Sequence, residues 1–226
     1  MPFNIRTTLS SPSDGEFVLS AFDAALPHLA SIGSCEQWGS DPFSANPERC
    51  ARAHAWITAS ESYRRTGSGD PVRAFIAEAR LPSLSPSLFN KELETRTDGE
   101  GREWISVAAA VVKEGYFPAY VAERPQFEEL VKEEREKGGS VYLEAMISDF
   151  RTGELRKGSG AATLVAVKSY AATRKARVLF VDCWAGNDGK LVGFYEKMGF
   201  VRIGEFAAPR PEKEAWPGMF LKMELL

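Results

Sequence analysis

The chain has 226 residues, 44% hydrophobic and 26% charged, enough to bury one substantial core, and it reads as a single domain with insertions. The net charge of -3 comes from interspersed Lys, Arg, Asp and Glu without a basic block, which argues against a nucleic-acid partner. Cys35, Cys50 and Cys183 lack disulfide or zinc spacing, His28 and His54 are too few for a three-histidine metal site, and no stretch approaches the roughly 20 apolar residues of a membrane span, so a metal-free cytoplasmic protein off the membrane is expected.

In chain order, residues 3–7 alternate weakly and predict a first strand. Ser11-Pro12-Ser13-Asp14 supplies a cap and a first-turn proline for a helix with the apolar stripe Phe17, Leu19, Phe22, Leu26 and Leu29. A turn-rich segment at 31–47 carries Gln37, Trp38 and Phe43, and Pro47-Glu48 opens a second helix to about Arg65. Residues 73–79 and 104–112 are apolar and β-branched and predict two antiparallel neighbouring strands. The insertion between them, 81–102, mixes Pro, Ser, Gly and charges; a second insertion, 124–139, is charged and helix-prone. Residues 141–147 are apolar at nearly every position, as in a central strand covered on both faces, and Glu144 breaks that pattern.

Beyond Ser159, the positions Ala161, Leu164, Val167 and Ala171 repeat at helical spacing, with Arg174-Lys175 at the C-terminal end. Residues 176–183 predict a buried strand, and Asn187 or Asp188 the cap of a short helix holding Leu191, Phe194 and Tyr195, which Gly199 stops. Residues 200–203 and 219–225 predict two final strands.

A strand, a glycine-rich turn and a helix start gather free backbone N–H groups around an anion, and the helix dipole adds to the attraction. Lys157-Gly158-Ser159-Gly160-Ala161-Ala162 has this form: the glycines admit close backbone approach, and Ser159 adds a hydroxyl donor. Gly-Lys-Ser/Thr is absent, which excludes a Walker A loop, and Thr163 stands where a dinucleotide fingerprint needs glycine.

Together with Phe194-Tyr195-Glu196-Lys197-Met198-Gly199-Phe200, this turn resembles the GNAT superfamily of acetyl-coenzyme A-dependent N-acetyltransferases. Their signature is Gln/Arg-x-x-Gly-x-Gly/Ala opening a helix, followed by Tyr-x-x-x-Gly-Phe; Lys157 replaces the Gln or Arg. Asp182-Cys183-Trp184-Ala185-Gly186-Asn187 is similar to the strand and turn before this helix in many members. The resemblance implies an α/β (α+β) fold, with a mixed, mostly antiparallel central sheet of about seven strands and helices on both faces. It divides residues 1–226 into an acceptor-side half (1–139), an acetyl-coenzyme A-binding core (140–206) and a C-terminal strand (207–226). It implies further that parallel strands ending near Ile147 and Cys183 splay to admit the pantetheine arm, that the diphosphate rests on the amides of 158–162, and that a main-chain N–H near Met146 and Ile147 polarises the thioester. The pantetheine-binding asparagine of the family aligns on Asp188, one residue after Asn187.

An amine attacking a thioester must be neutral, the oxyanion needs donors, and the leaving thiolate needs a proton. Tyr195 fits the acid, because a phenol with pKa about 10 stays protonated at neutral pH. For the base, Glu144 is a carboxylate inside an apolar strand; Asp149 and a chain of waters are alternatives. Cys183 reads as a buried thiol rather than a nucleophile. Gln37, Trp38, Phe43 and Trp216 supply surface for a small, partly apolar amine. The expected activity is transfer of an acetyl group from acetyl-coenzyme A to a primary amine of a small molecule in a ternary complex, by a monomer or homodimer. The other reading is a catalytically silent acyl-coenzyme A sensor or scaffold.

Overall fold

The computed structural model describes residues 3–8, 12–81, 93, 95–210 and 213–225. Most of the 81–102 insertion (82–92 and 94) and the expected cap residue Ser11 lie outside the described residues. In chain order the elements are β1 (Phe3–Thr7), α1 (Pro12–Ser31), α2 (Pro47–Thr66), β2 (Val72–Arg80), β3 (Thr95–Thr97), β4 (Glu103–Glu114), α3 (Ala119–Ala122), α4 (Glu128–Lys137), β5 (Ser140–Ser148), α5 (Ser159–Thr173), β6 (Val178–Trp184), α6 (Lys190–Lys197), β7 (Val201–Arg210) and β8 (Lys213–Glu224). Short 3-10 segments at Cys35–Gln37, Phe43–Ala45, Phe150–Arg156 and Asn187–Gly189 punctuate the loops.

Local chemistry accounts for the best-read elements. Asn46 caps α2 by accepting the amides of Glu48 and Arg49 at 2.9 and 3.0 Å, Pro47 needs no N–H in the first turn, and Gly67 ends the helix at φ 68°. β2, β4 and β5 are buried along most of their length, which explains why each reads as a nearly continuous apolar run.

The eight strands form one sheet in the order β1-β2-β4-β5-β6-β8-β7, with β3 beside β4. The pairings β1–β2, β3–β4, β6–β8 and β7–β8 are antiparallel, whereas β5–β6 is parallel. That parallel register runs from Ser140↔Val178 to Leu143↔Val181 and ends there, although both strands continue. β6 pairs with β8 along its whole length, so Asp182, Cys183 and Trp184 keep only their β8 partners Phe220, Met219 and Gly218.

Three local expectations need correction. Residues 95–97, read as loop, pair with β4 as a short strand. The last two strands are longer than the hydrophobic runs suggest, because register shifts at Arg202/Gly204 and Ala208/Arg210 absorb residues that read as strand breakers. Neither Asn187 nor Asp188 caps α6: both are left-handed, at φ 51° and 56°, and Gly189 occupies the N-cap without a side-chain bond.

The chain divides into two compact units: Met1–His28, Asp41–Val111 and Ala145–Val167 in the first, and Leu29–Ser40, Val112–Glu144 and Lys168–Leu226 in the second. The first has an apolar cluster around Ala77, Ala79, Ile105, Val107 and Ala108. It also buries Glu78, 1% exposed, whose carboxylate accepts from Asn4, Arg6 and Arg96. The core of the second is aromatic, with Phe117, Phe127, Tyr142, Phe180, Phe206 and Phe220 in contact. Gly218 leaves room for the Phe206 ring, since a Cβ there would meet it at 2.3 Å.

Candidate functional site

The glycine-rich turn belongs to the first unit. Gly158 adopts φ 83°, a left-handed conformation that glycine reaches without a Cβ penalty. α5 then begins at Ser159, and the first helical bond runs from the Ala162 amide to the Gly158 carbonyl at 3.0 Å, so the Ala162 amide, expected among the diphosphate donors, is already engaged within the helix. The preceding amides have no partner within the helix, so the start of α5 presents donors and the positive end of its dipole. Gly160 and Ala161 lie half-buried in the first turn, and exposed Lys157 pairs with Glu154 at 2.7 Å. The Ser159 side chain is buried and shares a hydrogen bond with Ser148 at 3.2 Å. Met146 is half-buried on β5 and Ile147 is buried.

Asp149, the alternative base, is fully buried at the N-cap of the Phe150–Arg156 segment and ion-paired with Arg151 at 2.8 Å. The next residues form a stack, the Phe150 ring lying 4.3 Å from the His28 ring and 3.8 Å from the Arg156 guanidinium. An open cavity of about 450 Å³ is lined by Ser20, Asp23, Ala24, Pro27, Phe150 and Arg151, none of them a residue singled out by sequence for cofactor or acceptor.

Tyr195 and Glu144, the expected acid and base, belong to the second unit. Tyr195 is 5% exposed, held edge-on between Phe194 and Phe200 at 5.3 and 5.4 Å. Burial, and after it the neighbouring Cys183 and Asp182, raises the Tyr195 hydroxyl above the usual phenol range and keeps it protonated. Burial likewise pushes the Cys183 thiol up to about 12, so this side chain stays a thiol.

Glu144 is half-buried and ion-paired with Lys113 at 3.3 Å; the Lys113 ammonium lies 4.1 Å from the centre of the Tyr116 ring. One strand over, Asp182 Oδ1 accepts from the Tyr142 hydroxyl at 2.5 Å and the Tyr120 hydroxyl at 3.0 Å. Burial raises the Asp182 carboxyl to about 6, the two hydroxyl bonds acting against the rise and the Glu144 charge with it. Sequence reasoning passed over both Asp182 and Tyr120. The signal for Asp182 was the one that marked Glu144, a single carboxylate within an apolar run, here Val178-Leu179-Phe180-Val181-Asp182-Cys183-Trp184.

Of the residues expected around the acceptor, Gln37 and Trp216 come together: the Trp216 indole N–H donates to the Gln37 carbonyl at 2.9 Å. Half-buried Trp38 follows Gln37 at the end of its 3-10 turn. The same loop is tied down twice more. Arg210 donates to the Glu36 carbonyl and carboxylate at 3.0 and 2.9 Å, and the Asn187 amide group donates to Ile32 O at 3.1 Å and Ser34 Oγ at 2.6 Å. Phe43 belongs to the first unit, where it stacks on Phe22 at 4.6 Å.

Neither a protein-family model nor a curated protein matches this sequence. Many solved structures match the fold. An N-acetyltransferase from Staphylococcus aureus Mu50 is 13% identical with 100% of both chains covered and a TM-score of 0.56. A GNAT superfamily phosphinothricin acetyltransferase from Sinorhizobium meliloti, solved in complex with AcCoA, is 12% identical over 99% of this chain and 89% of that one, with a TM-score of 0.56. A ribosomal-protein-alanine N-acetyltransferase from Brucella melitensis is 16% identical over 98% of this chain and 99% of that one, with a TM-score of 0.53. Among the described residues, no helix is long and apolar enough to cross a membrane.

Proposed function

We propose that this chain, which has the fold of the GNAT acetyltransferases, is itself an acetyl-coenzyme A-dependent N-acetyltransferase acting on a primary amine of a small molecule. The observation that carries the reading is Tyr195: a buried phenol, kept protonated by its surroundings, in the unit that also holds the Asp182 and Glu144 carboxylates. The turn fits the other requirement. A left-handed Gly158 followed by amides without helical partners is a cradle for a diphosphate, and Lys157 adds a point charge.

Acetyl-coenzyme A, when bound, supplies a thioester whose C–S bond breaks as the amine forms the new C–N bond. In this reading the amides of residues 158–161 and Lys157 hold the diphosphate, and main-chain N–H groups at Met146 and Ile147 stabilise the oxyanion. Tyr195 Oη–H delivers its proton to the departing sulfur and is reprotonated from solvent. Gln37, Trp38 and Trp216 form the wall against which the acceptor rests, and the loop they share is fixed by Asn187 and Arg210.

The test is release of free thiol from acetyl-coenzyme A across a panel of alkyl, aralkyl and amino-acid primary amines, with Tyr195→Phe as the paired variant. Turnover by the wild type and a loss of kcat on the order of 100-fold in Tyr195→Phe, with acetyl-coenzyme A affinity retained, is the expected result. Tight acetyl-coenzyme A binding without turnover of any amine points instead to the sensor, and absence of binding refutes both.

A further inference from the structure

We propose that Asp182 is the general base of this site and that the hydroxyl of Tyr120 links its carboxylate to solvent; the assignment rests on the acetyltransferase reading. Asp182 is the residue of β6 just past the last β5–β6 pair, where the ladder ends and a strand side chain is released from its parallel neighbour. Its Oδ1 is fixed by the Tyr142 and Tyr120 hydroxyls, and among the described residues no other side chain donates to the carboxylate. Its own main-chain N–H is the remaining donor to the carboxylate, which leaves lone-pair capacity on Oδ2 for a substrate proton. Tyr142 is 1% exposed and anchors the pair from within the aromatic core, whereas Tyr120 is 45% exposed and reaches water.

The surrounding groups suit a carboxylate that exchanges protons near neutrality. Facing it are Tyr120 from α3, Tyr142 and Glu144 from β5, and Phe220 across the ladder on β8; Cys183, next in the strand, points to the opposite face, and Tyr195 of α6 feels the Asp182 charge. Lys113 is paired to Glu144, and Arg202, whose charge reaches Cys183, is paired to Glu196. Among the described residues Asp182 thus has neutral donors and no ion pair. The burial that raises its carboxyl to about 6 leaves it mostly ionised at neutral pH, yet basic enough to take a proton. The step balances: the N–H bond of the substrate ammonium breaks, its electron pair stays on nitrogen as the nucleophilic lone pair, and the proton forms an O–H bond at Oδ2. The Asp182 carboxylic acid then returns that proton to water beside Tyr120. Tyr142 remains a phenol throughout, because burial, then the Asp182 charge, raises it above the phenol range, and Tyr120 is raised in the same direction.

The experiment is the pH profile of kcat/KM for thiol release, using acetyl-coenzyme A with the fastest amine among butylamine, 2-phenylethylamine and glycinamide, for wild type, Asp182→Asn, Tyr120→Phe and Glu144→Gln. The wild type shows an acidic limb near pH 6, set by Asp182. Asp182→Asn loses that limb and about 100-fold in kcat, while its KM for acetyl-coenzyme A holds. Tyr120→Phe removes a donor that favours the carboxylate, so the limb moves to higher pH; this variant serves even if Asp182→Asn does not fold. Glu144→Gln keeps the limb but moves it to lower pH, because a charge that raises the Asp182 carboxyl is gone. A limb that survives in Asp182→Asn or stays in place in Tyr120→Phe, or one abolished by Glu144→Gln, overturns the assignment alone. Absence of thiol release by the wild type with every amine overturns the acetyltransferase reading and this assignment with it.

Discussion

Gly158→Ala separates backbone geometry from side-chain chemistry at the glycine-rich turn. At φ 83° an alanine is held left-handed, at a cost of roughly 1–2 kcal/mol. Space is not the obstacle, because the nearest heavy atom to an added Cβ is Phe3 Cε2 at 3.8 Å, an ordinary contact. If the chain keeps its conformation, the variant melts roughly 2–8 °C lower and still binds acetyl-coenzyme A. If it relieves the strain by rotating to negative φ, stability recovers, but the amides ahead of the first helical bond turn away from the ligand. Each hydrogen bond lost to a charged group is worth about 1.5–3 kcal/mol, so the dissociation constant rises at least about tenfold. Melting curves and calorimetric titration with acetyl-coenzyme A distinguish the two outcomes, and both differ from wild type. Gly158→Asn, which tolerates the left-handed region better, loses less in either measurement. Wild-type melting together with wild-type binding in Gly158→Ala refutes the assigned conformation and its role.

Glu78→Gln removes the charge from a 1% exposed carboxylate held by Asn4, Arg6 and Arg96, and the loss of a buried partner lowers unfolding stability by roughly 3 kcal/mol in urea titrations at neutral pH. Burial alone would raise the Glu78 carboxyl, but the bonds from Arg96, Arg6 and Asn4 outweigh it and lower it below 4.5. Its contribution is therefore full above about that pH and fades as pH falls through the folded-state value, so the gap between wild type and variant narrows in acid. Cys183, 4% exposed with its thiol pushed up to about 12, should resist an aromatic disulfide reagent at pH 8 for as long as the chain is folded, while exposed Cys35 reacts at once; prompt labelling of Cys183 contradicts its placement.

Elements whose signals are local were legible in the sequence. The α2 helix announces itself through Pro47-Glu48, and the buried strands through apolar runs. The turn before α6 was not legible. Asn187 and Asp188 are common N-caps, but here both enter the left-handed region, and Asn187 uses its side chain to hold Ile32 and Ser34, 155 and 153 positions away. No local pattern encodes such a partner. β7 and β8 were read short because Gly204, Pro209, Pro217 and Gly218 look like strand breakers, whereas the hairpin ladder carries through them with two register shifts. The glycine-rich turn was found because its chemistry is written in consecutive residues; the Tyr120–Asp182–Tyr142 cluster was not, because its members lie 62 and 40 positions apart.

Glu144 and Asp182 show why residue type alone does not assign a base. Each is a lone carboxylate in an apolar strand, and the two strands are parallel neighbours whose ladder stops one residue before either of them. What differs is the partner. Glu144 meets an ammonium, Lys113, at 3.3 Å. Asp182 meets two phenol hydroxyls, which orient the carboxylate and satisfy one oxygen but bring no positive charge to hold it ionised. Burial then dominates, and proton affinity rises toward neutrality. Lys113→Met removes the cation paired with Glu144, and the acidic limb set by Asp182 persists in it. A limb abolished in Lys113→Met, or one that survives when Asp182→Asn is added to it, identifies a group other than Asp182 as the one that takes the proton.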